Sequence, residues 1–116
     1  MATLRTPETE AKYRAQKVID KQQGICALCE RKALRDFSHW KIVENIFPYD
    51  EIAKTHHMLV IKEHISEQDI SMQAWKEFRE IKKDFINSTY SFILENTSLA
   101  TSIPTHFHFQ LIVLKD

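Results

Sequence analysis

The sequence predicts an α+β domain in which helices cover one face of an antiparallel sheet, in the order helix, strand, strand, helix, strand, strand. Three observations predict it. Apolar residues recur at helical spacing over 7–23 and after Ser71, and β-branched and aromatic runs fall at 39–47, 56–62, 90–94 and 106–114. Turn chemistry separates those runs. At 116 residues the chain has room for one core and so one domain, spanning 1–116 with a flexible lead-in over 1–5.

Thr6-Pro7-Glu8 reads as an N-cap, a proline in the first helical turn and an acid near the positive helix end. Ala11, Ala15, Val18 and Ile19 supply the expected buried stripe, and Gly24, the single glycine, stops the helix. Strand 39–47 ends at the turn Phe47-Pro48-Tyr49-Asp50, and 56–62 follows as its neighbour. Ser71 caps a second helix whose stripe is Met72, Trp75, Phe78, Ile81 and Phe85, a pattern that belongs to core packing. Strands 90–94 and 106–114 complete the sheet.

Charge excludes several functions. Sixteen Lys and Arg balance sixteen Asp and Glu, and no long run of either sign occurs, so neither nucleic acid nor a membrane surface is an expected partner. Apolar runs fall short of the roughly 20 residues of a membrane span, and 1–10 has no signal-like apolar segment, which leads us to expect a cytoplasmic protein. In that compartment Cys26 and Cys29 read as metal ligands, a redox pair or packed thiols in preference to a structural disulfide. A closed tetrahedral zinc site needs two further ligands, and six histidines are available: His39, His56, His57, His64, His106 and His108.

The last strand carries the strongest chemical signal. Alternation puts Phe107, Phe109, Leu111 and Val113 on one face and His106, His108 and Gln110 with Ile112 on the other. Three polar side chains in line are costly to bury unless they bind something.

These residues resemble the histidine triad superfamily. Its pattern His-x-Leu-Val-Ile-Pro-Lys-x-His-Ile is similar to His56-His57-Met58-Leu59-Val60-Ile61-Lys62-Glu63-His64-Ile65, and its terminal His-x-His-x-Gln to His106-Phe107-His108-Phe109-Gln110. Asn45-Ile46-Phe47-Pro48-Tyr49 is similar to the Asn-x-x-Pro-Tyr of the branch containing the diadenosine tetraphosphate phosphorylases. The elements occur in family order and cover most of the chain from Cys26 onward.

The resemblance implies a HIT-like fold, a homodimer and chemistry at the α-phosphorus of a nucleotide. As in zinc-containing members, and similarly in galactose-1-phosphate uridylyltransferase, it implies a structural zinc held by Cys26, Cys29, His64 and His106. His108 matches the nucleophile, which forms a nucleotidyl-histidine that water or another acceptor resolves. Gln110 matches the last motif position, where an amide binds a phosphoryl oxygen and has no proton to deliver. His56 matches the histidine that completes the catalytic cluster, and Asn45 the ribose contact. Implied substrates are dinucleoside polyphosphates, nucleoside phosphoramidates or nucleotide sugars. The alternative is a zinc-stabilised nucleotide-binding module without catalysis.

The chain also departs from the pattern. The family's phosphate-binding serine falls at Ile103, and no glycine lies between Asn96 and Thr105, so Ser102, Thr101 or Thr105 is expected to stand in. The segment from Asp50 to Thr55 is longer than its family counterpart, His57 points away from His56, and His39 is placed at the surface.

Overall fold

The computed structural model describes residues 3–101 and 103–116. Helix α1 spans Pro7–Gln23; Thr6 accepts the Thr9 amide at its start, and Gly24 closes it at φ 67° with its N–H on the Asp20 and Lys21 carbonyls. One helical turn, α2 at Ala27–Glu30, follows. Strands β1 (Arg35–Asp36), β2 (Trp40–Glu44) and β3 (Ala53–Ile61) precede α3 (Met72–Ile81). Strands β4 (Phe92–Leu94) and β5 (His108–Leu114) complete an antiparallel sheet in the order β1-β2-β3-β5-β4. Among the described residues no helix is long and apolar enough to cross a membrane.

The mixed α+β class is as expected, but helices lie on both faces of the sheet and not on one. Helix α3 packs on the face made by Trp40, Ile42, Leu59, Ile61, Phe109 and Leu111, where Trp75, Phe78 and Phe107 join an aromatic core. Trp40 is fully buried and satisfies its indole N–H on the Ala74 carbonyl at 2.7 Å. Helix α1 and α2 stand over the opposite face, across a cavity whose floor includes Asn45, Met58, His108 and Gln110.

That placement inverts the predicted face of α1. Ala11, Ala15, Val18 and Ile19 are exposed, while Thr9, Glu10, Tyr13, Gln16 and Asp20 are half-buried on the inward side. Helix α1 closes a cavity and not a packed core, and Tyr13, Gln16 and Asp20 line it, so its apolar period marks the solvent face. On α3, Met72 is 85 % exposed and Ala74 takes its inward position. A π-helical turn, Lys82–Ile86, then shifts the phase, so that Ile86 is buried and Phe85 half-buried beyond Ile81.

The strand boundaries also move. Pairing starts at Trp40 and stops at Glu44, and beyond it Asn45 turns its side-chain oxygen to the Phe47 amide. The two-residue β1, too short for alternation to reveal, is an addition. In the longer segment after Asp50 a register shift between Ala53 and Thr55 restores regular pairing by His56. His39 is half-buried, with its amide on the Glu77 carboxylate. His57 points away from His56 as expected and meets the Tyr90 hydroxyl at 2.7 Å.

Candidate functional site

Cys26 is the N-cap of α2, with its sulfur facing the Cys29 amide, so one helical turn brings both thiols to the same side. The strand end at Ile61 delivers His64, and the approach to β5 delivers His106. Donor atoms of Cys26, Cys29, His64 and His106 all lie within 4.8 Å of one another. The sulfur–nitrogen separations are 3.5 Å for Cys26 to His106, 3.3 Å for Cys29 to His64 and 3.4 Å for Cys29 to His106. A tetrahedral zinc with ordinary bond lengths requires edges of about 3.6 Å between sulfur and nitrogen.

The hydrogen bond behind His106 fits as well. His106 is fully buried, and its Nε2–H donates to the Ile61 carbonyl at 2.6 Å, leaving Nδ1 as a lone pair towards the sulfurs. Burial and the neighbouring Cys26 push the Cys29 thiol up to about 11, a balance that a divalent cation reverses. The four residues can therefore hold a metal ion, and two sulfurs with two imidazoles complete its tetrahedron.

Beside this cluster the sheet face forms a graded row. Register pairs Val60 with His108, Met58 with Gln110 and His56 with Ile112. The His108 Nδ1–H donates to the His106 carbonyl at 2.9 Å. In the neutral ring that leaves Nε2 unprotonated, and burial lowers the His108 pKa from its ordinary value despite the carbonyl bond. His108 lines the cavity, so an imidazole lone pair is available there at neutral pH.

His56 is buried behind Gln110 and is not part of the cavity wall. Its Nδ1 accepts the Tyr49 amide at 2.9 Å, so the proton sits on Nε2 and is donated to Gln110 Oε1 at 2.5 Å. This bond orients Gln110, whose amino group remains for a ligand. Burial, opposed by the Gln110 bond, lowers the His56 pKa to about 4, and the ring stays neutral. The resemblance places His56 in a catalytic cluster; the structure places it against Gln110, outside the cavity lining. Asn45 spends Oδ1 on the Phe47 amide at 2.9 Å and lines the cavity, with Nδ2 3.3 Å from His56 Nε2.

Of the candidate phosphate contacts, Thr105 is exposed on the cavity rim, Ser102 lies outside the described residues, and Thr101 belongs to a neighbouring cleft. Ile103, where the resemblance leads us to expect a serine, packs against the cluster of Leu28, Val43, Met58 and Val60. The cavity measures about 410 Å³, within the usual range for small-ligand sites.

Arg5, Tyr13, Lys17 and Arg31 also line it, none of them expected from the sequence. Tyr13 and Lys17 are four residues apart on one helix face, a polar and aromatic period that could have pointed to them. Arg5 and Arg31 carry no such signal. The expected flexible lead-in ends in contacts: Leu4 accepts the Glu51 amide, and Arg5 Nε donates to the Phe47 carbonyl at 2.7 Å. Comparison with models of known protein families finds none that matches the chain, and comparison with curated proteins finds no significant match.

Proposed function

We propose that this chain is a HIT-type nucleotide hydrolase or nucleotidyl transferase that acts at an α-phosphorus through covalent His108, with a structural zinc on Cys26, Cys29, His64 and His106. The observation that carries the reading is the His108 ring held by the His106 carbonyl, which leaves its Nε2 lone pair in a cavity of nucleotide size. The motif order from Asn45 to Gln110 supplies the rest.

The chemistry follows from these groups. The Nε2 lone pair attacks phosphorus, a P–N bond forms, and the bond from phosphorus to the leaving oxygen breaks, that oxygen keeping the electron pair. Water or another acceptor then attacks the same phosphorus, loses its proton to solvent, and the P–N pair returns to Nε2. The Gln110 amino group, oriented by His56, donates to a non-bridging oxygen as charge grows there. Asn45 offers its amino group to the sugar. Zinc at the four-ligand cluster would tie α2, the segment after β3 and the approach to β5 into one unit, and so hold the His106 carbonyl that aligns the nucleophile.

Hydrolysis in heavy-oxygen water tests the site of attack. The label is expected in the nucleoside monophosphate, with activity lost at least about a thousandfold in His108→Ala; label in the other product would contradict attack at the α-phosphorus. The second reading, a zinc-stabilised binding module, is favoured by Ile103, whose side chain has no group to offer phosphate. Nucleotide binding with no turnover across the three substrate classes would select it.

A further inference from the structure

We infer that Arg5, Lys17 and Arg31 form a subsite for the phosphates beyond the α-phosphate of a nucleoside polyphosphate, an inference that rests on the nucleotide reading of the same cavity. The chain as a whole is neutral, yet four of the residues lining this cavity are Arg5, Lys17, Lys21 and Arg31, against one carboxylate, Asp20. Asp20 is itself engaged by the Gln16 amide at 2.9 Å. Positive charge is thus concentrated around the cavity that His108 also lines.

Arg5 is held in place by its neighbours. The Arg5 side chain is only 12 % exposed and stacks at 4.0 Å from the Tyr13 ring centre and 4.9 Å from that of Tyr49. Its sole carboxylate, Glu10, stands 3.5 Å from Nη1, while the other Glu10 oxygen is taken by Arg14 at 2.7 Å. The Arg5 guanidinium hydrogen bonds use Nε and Nη1, and among the described residues Arg31 Nε is buried without a hydrogen-bond partner. Guanidinium groups at a cavity wall suit bidentate phosphate oxygens.

The reaction chemistry selects the same ligand. Gln110 cannot protonate a leaving group, so a group that departs as a stable anion is favoured over an amine or an alcohol. A phosphate chain departs in that form. With Ile103 in place of a hydroxyl, fixed cations on the α1 side of the cavity provide its binding.

Calorimetric titration of the zinc-loaded full chain with ribonucleoside monophosphates and with α,β-methylene di- and triphosphates, which bind without turnover, tests the subsite. The triphosphate analogue is expected to bind about tenfold or more tightly than the monophosphate. Arg5→Gln and Arg31→Gln should each remove most of that gain and leave monophosphate affinity within about twofold. Lys17→Gln, at an exposed helix position, should remove part of it without a change in thermal midpoint, which guards against misfolding of the arginine variants. Monophosphate binding with no gain from added phosphates, or a gain that survives all three substitutions, would overturn the subsite alone. No nucleotide binding at all would overturn the reading of the cavity and the subsite with it. Inorganic tripolyphosphate binding as tightly as the nucleotide would overturn the nucleoside part of the proposal.

Discussion

His56 illustrates how a single residue serves by staying uncharged. Its ring is buried between the Tyr49 amide and Gln110, and burial lowers its pKa to about 4 from 6.5. In the unfolded chain the ring takes up a proton near pH 6.5, whereas the folded ring resists until about pH 4, so the unfolded state binds more protons across that window. Stability from this residue is therefore present above about pH 6.5 and lost as pH falls to about 4, a contribution of roughly 3 kcal/mol. Denaturant titrations of wild type and His56→Gln should show that extra slope only in wild type; parallel curves would contradict the neutral buried ring. The motif made His56, His108 and Gln110 visible as a group. Their division of labour was not visible, because it depends on which ring nitrogen each partner occupies.

At the scale of elements, α1 is the least sequence-legible part. Asp50 holds its start: the carboxylate accepts from the Thr6 amide at 2.7 Å, the Thr6 hydroxyl at 3.1 Å and the Thr9 hydroxyl. Burial opposes the charged form, but the Thr9 and Thr6 bonds outweigh it and hold the Asp50 pKa below its ordinary value. Asp50→Ala should cost about 2 kcal/mol by stranding these donors and should speed proteolytic cleavage within 7–23. An unchanged cleavage rate would show that α1 is held elsewhere. Helical spacing located this helix from its Thr6-Pro7 start to its Gly24 stop, since both ends are local chemistry. It misassigned the buried face, because burial here means lining a cavity, and a periodicity argument assumes a packed apolar core. The α3 stripe, which does meet an apolar core, was legible apart from Met72 and the π-helical phase shift.

The whole molecule joins two systems through one strand approach: His106 turns Nδ1 to the thiols and its carbonyl to His108. Loss of the Cys26, Cys29, His64 and His106 cluster should therefore disturb His108 as well. Purified protein is expected to contain about one zinc per chain, and Cys26→Ser to lose it with a fall in thermal midpoint of roughly 10 °C or more; metal-free protein of undiminished stability would contradict the centre. All four residues of that cluster were legible through motif resemblance, and the fold brings their donor atoms within 4.8 Å of one another. The cationic wall was not, since Arg5 and Arg31 reach the cavity only through the docking of α1 and α2 over the sheet. The central claim, covalent chemistry at His108, is tested most directly by rapid quenching with a nucleotide labelled at its α-phosphorus. Acid-labile, base-stable label on His108 in wild type, absent in His108→Ala, is the predicted result. Turnover without label on the protein, or label that persists in His108→Ala, would contradict it.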